Sequence, residues 1–422
     1  MPARTLGGIG RSSQSARLKL RFTQCDTAVD PRITVTRAST TWRVNSAGIY
    51  VPVAANAPVI EYNPLSLAIR GLRIRPATTN LLTYSEDIGN AAYSKGGASV
   101  GASSSGRGIT LKKLTESALN EEHYVYSPAA VVTGGASIAG SVFVMAGGST
   151  YCQIRLTSYN GTYSAAIAFL NLTNGTQRNA SLLVGGAVSG TVSIEDWGGG
   201  LYRIGIVGVL ASNVTQAGII VYLQRAAGAF NETTYTGDGS TGTYLGGFML
   251  REGSTVGSYI PTTSAQVTVP GDTVAITGTA FTDIWNPNQG TWFWRALTQS
   301  VTTYPHAVSA DNGGSSNDRI ASAFDPAFQL AFSYVRNSGV QSSGSSASVS
   351  PGTVVKGALS MKSGNFVAAY NGALVAASAA NMPTNSTRLV IGGGDAPLDG
   401  YIESLDYYGA ESAARELLEG TA

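Results

Sequence analysis

Between residues 88 and 262 the chain keeps breaking into short strand-like runs separated by clusters of Gly, Asn or Ser. The clearest runs span 139–146, 151–157, 165–170, 190–195, 202–209, 219–223 and 246–250. Turns therefore recur about every ten to fifteen residues, a spacing that suits antiparallel strands and leaves little room for helices. The pattern predicts a β-sandwich or jelly roll. The 52 glycines serve those turns, since no Gly-X-Y period assigns them to a collagen-like rod.

The same style continues over 272–410 in a different order. Thr291-Trp292-Phe293-Trp294-Arg295 is an aromatic strand, 328–335 alternates, and Phe366-Val367-Ala368-Ala369-Tyr370 runs into an Asn371-Gly372 hairpin turn. The Ser/Gly-rich stretch 338–351 reads as a mobile loop. Residues 111–119 fit either a strand or a turn of helix. Residues 410–418 carry good helix formers, with Gly420 as the stop. Upstream, 1–30 is polar and lacks a period, which predicts an extended arm. Residues 32–75 hold short strands in a head too small for a large core, so the head is expected to pack on neighbours. The fold class is all-β: a small N-terminal β docking region, two antiparallel β-sandwich (jelly-roll) domains and one short C-terminal helix. The expected units are 1–87, 88–263 and 264–422.

Charged residues make up only 12% of the chain, so Ser, Thr, Asn, Gln and Gly must cover most of the surface. Net charge is +2, but residues 1–75 hold ten Arg and Lys19 against Asp26, Asp30 and Glu61. That basic head, with Arg4, Arg11, Arg17, Lys19, Arg21 and Arg37, is read as a docking segment for acidic partner subunits. A nucleic-acid partner is not expected, because aromatic interleaving and a dense Lys/Arg run are missing. Cys25 and Cys152 fall in different units and are expected to be reduced, buried small hydrophobes. No run is apolar enough to span a membrane, and the start reads as lacking a secretory signal.

Three strings carry a resemblance. They are Arg37-Ala38-Ser39-Thr40, then Arg75-Pro76-Ala77-Thr78-Thr79-Asn80-Leu81-Leu82-Thr83-Tyr84-Ser85-Glu86-Asp87, then Ser258-Tyr259-Ile260-Pro261-Thr262-Thr263. In that order they resemble a recurring family of bacteriophage virion proteins, the tail-fibre, head-fibre or spike components that carry lectin-like β-sandwiches. The likeness covers roughly 32–417. Ile194 to Arg203 resembles a strand of that family, with Leu201 where Trp is more usual, in a sandwich similar to carbohydrate-binding modules. The last unit is similar to concanavalin-like or laminin-G-like jelly rolls, through Tyr370-Asn371-Gly372, 389–393 and 398–402.

Sugar recognition needs an aromatic face for ring C–H groups and planar polar groups for hydroxyls. Trp197 with Tyr202 and Arg203 forms one candidate platform, and Trp285 beside Asn286 another. Trp292 and Trp294, two apart on one strand face, read as core. Asp238, Asp311, Asp318 and Asp395 sit in loops with oxygen donors of the type calcium takes, and Asx turns explain each as well. Calcium is the single cofactor left open. Glycoside cleavage needs two facing carboxylates. Glu195 and Asp196 are adjacent and Glu403 and Asp406 three apart, so each pair splits across a strand. His123 and His306 sit in no nucleophile motif. The chain is therefore expected not to be an enzyme, unless acids from separate strands converge.

The resemblance implies a virion structural protein (fibre, spike or decoration component) that is made in the host cytoplasm and released by lysis. Its expected partners are capsid or tail proteins, copies of itself (a trimer, by analogy with fibres) and host-surface glycans. A polysaccharide depolymerase and a ligand-free decoration protein are the alternatives.

Overall fold

The computed structural model describes the chain except residues 1–14, 26–28, 179–181, 188, 226–231, 301–303, 315–316, 326–329, 339, 376–378 and 394–396. Nearly every described element is a strand, every strand pairing is antiparallel, and the sheets form two sandwiches. The inserted sandwich has a front sheet in the order Ser189–Asp196, Leu201–Val209, Ser137–Ala146, Gly242–Glu252, Ile109–Glu116, Ala98–Gly106. Its back sheet runs Thr176–Gln177, Ala165–Asn171, Tyr151–Ser158, Gln216–Gln224, Tyr124–Tyr126, Ser94–Gly96. Val142, Val144, Ile204, Ile206 and Phe248 of the front sheet share one core with Ile154, Leu156, Ile219 and Val221 of the back.

The second sandwich is assembled from both ends of the chain. Gln289–Thr298 lies between Val354–Lys362 and Gly400–Tyr408, and Gly400–Tyr408 also pairs with Leu18–Arg21 and with Ile69–Ile74. In the facing sheet, Thr34–Thr36 pairs with Thr273–Thr277. The N-terminal strands thus find their neighbours within this chain, and Leu18–Arg21, Thr34–Thr36, Ile60–Tyr62 and Ile69–Ile74 join the sheets of the C-terminal sandwich. The boundaries set at 87 and 263 cut across these sheets. They fall where the chain enters and leaves the inserted sandwich. Trp292 and Trp294 are core: the Trp292 indole donates to Ser322 Oγ at 3.0 Å, and Trp294 meets Phe324 edge-on.

The central strands of the insert's front sheet, Leu201–Val209, Ser137–Ala146 and Gly242–Glu252, are buried on both faces. Phe143, Leu201 and Met249 point away from its own core and join Trp197, Tyr50 and Tyr259 in the hydrophobic body of the other sandwich. This explains why 201–209 is apolar almost throughout rather than alternating.

The three strings of the resemblance meet at the junction. Arg37, buried, donates to Asp272 Oδ1 at 2.8 Å, and Asp272 Oδ2 accepts the Arg75 amide at 3.0 Å. Asn80, also buried, donates to the carbonyls of Phe248 and Ile260 and accepts the amides of Leu82 and Leu250. The Tyr84 and Ser85 amides bond Thr263 and Thr262, and Ser85 Oγ lies 2.7 Å from the Tyr259 hydroxyl. The strings clasp together the entering and leaving strands of the insert. Their role here is scaffolding.

Several local expectations change. Residues 109–116 form a strand, one of the two readings open for 111–119. The 338–351 segment expected as a loop contains the strand Val340–Ser348, paired with Leu330–Asn337 at the edge of its sheet. Backbone pairing suffices there, so Ser and Gly leave no apolar pattern to read. The C-terminal helix is Ala414–Thr421 and passes through Gly420. A Cβ at Gly420 would lie 2.3 Å from the Phe293 ring, so the glycine permits close packing and does not end the helix. A second short helix, Gly278–Thr282, lacked a sequence signal.

Candidate functional site

A cleft of about 740 Å³ opens between the two sandwiches. One wall is the edge strand Ser189–Asp196 with Arg203 behind it, and the other is the outer face of Ile60–Tyr62, Ile69–Ile74 and Gly400–Tyr408. Strand alternation decides what each wall offers. Thr191, Ser193 and Glu195 face the cleft from one side, Tyr401 and Glu403 from the other. Ser254, Thr255 and Ser258 close the end. Arg70 crosses the gap to Glu195 at 2.8 Å, and its guanidinium carbon lies 5.9 Å from the Tyr401 ring centre.

The charges are held in place. Glu195 also accepts the Trp197 indole N–H at 2.9 Å. Burial pushes the Glu195 carboxyl up, yet Arg70, Arg203 and that hydrogen bond hold it below the usual carboxylate range. Burial first, and Glu61 next, push the Tyr401 phenol up to about 12. Its hydroxyl donates to Glu61 Oε2 at 3.3 Å. Arg73 binds Asp399 at 2.6 Å, and Thr255 Oγ1 donates to the other Asp399 oxygen.

The expected platform of Trp197, Tyr202 and Arg203 is divided by its own strand. Tyr202 points into the insert's core, where Gly175 leaves room for its ring. Trp197 lines the cleft but is 3% exposed, wedged edge-on between Tyr50 and Phe143. Arg203 lines the cleft too, donating to Gly257 O and Ser141 Oγ. Trp285 stacks between Phe281 and Tyr407, and Asn286 donates to Gly409 O, so this second platform is structural. Sequence reading missed Glu61, Arg70 and Tyr401 and weighed Glu403 only as a pair with Asp406; the four come together from strands about 340 residues apart. The signal was faint: Tyr401 and Glu403 share a strand face by their spacing of two.

The docking residues divide as well. Arg37 is an internal ion-pair partner. Arg21 forms a bidentate pair with Asp406, Arg17 donates to Ile284 O, and Lys19 is exposed. Arg4 and Arg11 lie outside the described residues.

For calcium, Asp238 accepts from Ser240 and Thr241, which hold it below its ordinary range. Asp311 is buried against Arg388 and Arg319, and Asp318 accepts from Ser338 and Asn385. Asp395 lies outside the described residues, among which no cluster of three metal-ligating side chains occurs. Cys152 is buried and its thiol pushed up to about 12, whereas Cys25 is half-buried rather than buried. Among the described residues no helix is long and apolar enough to cross a membrane.

No protein-family model and no curated protein matches this sequence. Among solved structures, the CBM40 of a Ruminococcus gnavus IT-sialidase, bound to α2,3-sialyllactose, is 18% identical over 32% of this chain and 84% of that one, at TM-score 0.30. Domain 4 of the Geobacillus stearothermophilus GH43 arabinanase AbnA, in complex with arabinotriose, is 14% identical over 40% and 83%, also at 0.30. Trypanosoma rangeli sialidase with the inhibitor DANA is 12% identical over 77% and 62%, at 0.29. Likenesses this distant carry no argument about this chain's ligand.

Proposed function

We propose that this protein is a non-catalytic virion component that displays a glycan-binding cleft. The cleft carries the binding half of this reading. The groups a ligand reaches there are hydroxyls, the Gln299 amide and fixed charges, with half-buried Ile69 and Val256 between them. Carboxylates and guanidinium groups held this way suit pairs of neighbouring sugar hydroxyls, and the apolar patches suit C–H faces. The virion half rests on the three-string resemblance.

A depolymerase is the second reading, because Glu61, Glu195 and Glu403 do converge from separate strands. Glu61 lies in register with Gly71, and Gly71 packs against Glu403, so the two glutamates flank a residue with no side chain. Hydrolysis would need one carboxyl to keep its proton near neutral pH. Glu195 is held ionised, and Glu403 is paired with Arg295 at 2.8 Å. Binding is therefore the better account.

The test is a glycan array probed with the full chain and its Arg70→Ala variant, alongside mass spectrometry of purified phage particles. A neutral glycan bound by the parent and lost in the variant, with the chain present in particles, is the expected result. Equal binding by both proteins overturns the cleft, absence from particles overturns the virion role, and reducing ends released by the parent but not by Glu61→Gln overturn the non-catalytic reading.

A further inference from the structure

On the outward side of the insert's back sheet, Tyr124, Tyr126, Tyr159 and Arg155 are half-buried and Tyr163 is exposed, above a floor of buried Tyr222, Ile220 and Gln153. Two edge strands of the insert's front sheet expose small residues: Ala98–Gly106 reads Ala-Ser-Val-Gly-Ala-Ser-Ser-Ser-Gly, and Ser189–Asp196 presents Ser189, Thr191 and Ser193. Yet on the back sheet Tyr124 stands beside Tyr222, which stands beside Gln153, and in the next row Tyr126 stands beside Ile220 and Arg155. Among the described residues these strands pack on their sheet neighbours and across the core on the front sheet.

The rings and the charge are organised together. Tyr126 and Tyr159 stack at 4.0 Å, and Tyr124 and Tyr222 lie 5.4 Å apart. Arg155 lies flat over Tyr222, with its guanidinium carbon 4.3 Å from the ring centre. Its Nε donates to Gln153 Oε1 and its Nη1 to the hydroxyl of exposed Tyr163 at 3.3 Å. No carboxylate pairs with Arg155 among the described residues. A second guanidinium, that of Arg178, lies over Tyr151 on the same sheet. The carboxylate at the margin, Glu122, already accepts Thr233 Oγ1 at 2.8 Å. Arg155 thus stands among tyrosine rings with no carboxylate partner among the described residues, whereas the cleft is lined by three glutamates and two arginines.

We propose that this tyrosine face binds a carboxylated sugar, with Arg155 taking the carboxylate and the surrounding rings taking the C–H face. Guanidinium meets carboxylate in a planar, two-bonded fork, and an arginine flattened on an aromatic ring is already oriented for it. The inference takes only the ligand class, glycans, from the function proposed above; the surface and the charge selection are separate from the cleft.

The experiment measures binding of the full chain to two acidic probes, oligogalacturonate and a sialylated trisaccharide, each beside its carboxyl-reduced form. The expected result is that at least one acidic probe binds about tenfold or more tightly than its reduced form, weakening as salt rises. Arg155→Gln should abolish that difference at an unchanged melting temperature, Arg155→Lys should restore part of it, and Arg70→Ala in the cleft should leave it intact. If Arg155→Gln fails to fold, Tyr163→Ala, at an exposed position, should weaken binding of the same probe. Equal binding of acidic and reduced forms, failure of both acidic probes, or sensitivity to Arg70→Ala rather than Arg155→Gln overturns the inference. Loss of neutral-glycan binding in Arg70→Ala bears on the cleft alone.

Discussion

Arg37 and Asp272, 235 positions apart in sequence, form an ion pair at 2.8 Å with side chains only 0% and 1% exposed. Arg37 also donates to the carbonyls of Ser39, Ala54 and Ala57, and Asp272 accepts the Arg75 amide. A buried charge left without its partner is costly, whereas replacing both partners by apolar groups can be nearly neutral. Asp272→Ala and Arg37→Ala should each lower stability by about 3–5 kcal/mol in urea unfolding. The double change to Met and Leu should cost clearly less than the two alanine costs combined. A shift under about 1 kcal/mol for Asp272→Ala would refute the structural role of the pair.

Ser85 and Tyr259 carry the second half of the junction. The Tyr259 hydroxyl meets Ser85 Oγ at 2.7 Å and donates to Glu86 Oε1 at 3.1 Å. Ser85 Oγ also accepts the Thr262 amide, so removing either hydroxyl strands a buried partner. Tyr259→Phe and Ser85→Ala should each cost about 1–3 kcal/mol. A double-mutant cycle should return a coupling of about 0.5–3 kcal/mol, since the two groups share one network. Strict additivity would mean that the groups do not act together.

The fold class was legible because strand periodicity and turn chemistry are local. The assembly was not. The burial of Arg37 depends on Asp272, and the sheet position of Leu18–Arg21 depends on Tyr407 and its neighbours, partners that no window of sequence contains. A basic N-terminal segment read as docking charge therefore proved to be partly internal ion pairs. Trp197 and Arg203 were picked out and do line the cleft, but Tyr202 was grouped with them against the alternation of its own strand. Glu61 and Tyr401 carried no motif, because a cleft between two sandwiches is written by topology rather than spacing.

Glu195 ties the two sandwiches through Arg70 and gives their contact a pH dependence. Its folded pKa lies below the usual carboxylate range, with burial opposing and Arg70, Arg203 and Trp197 overcoming it. A depressed carboxylate stabilises the fold above its unfolded pKa and loses that contribution as pH falls through the folded value. Glu195→Gln should therefore lower the melting temperature at pH 7, keep the deficit down to about pH 5, and match the parent protein at the acid end. Asp399 is depressed as well and remains in both proteins, so the difference between them isolates Glu195. A deficit that grows on acidification would contradict the assignment.

Trp285 and Arg70 should respond in opposite ways, which separates packing from recognition. Trp285 stacks on Phe281 at 5.3 Å and on Tyr407 at 5.2 Å, with interplanar angles of 22° and 18°. Removing its ring opens a cavity between two fixed neighbours, so Trp285→Ala should cost about 3–5 kcal/mol. Glycan affinity measured well below the lowered melting temperature should not change, because neither Trp285 nor the two rings it stacks on line the cleft. Arg70 is 27% exposed at its side chain and pairs with Glu195 at 33%, so water screens the pair and Arg70→Ala should cost about 1 kcal/mol or less. Its loss should nonetheless remove binding to neutral glycans. If Trp285→Ala weakens binding while its fold is intact, or Arg70→Ala unfolds the chain, the division between core and site drawn from this cleft is wrong.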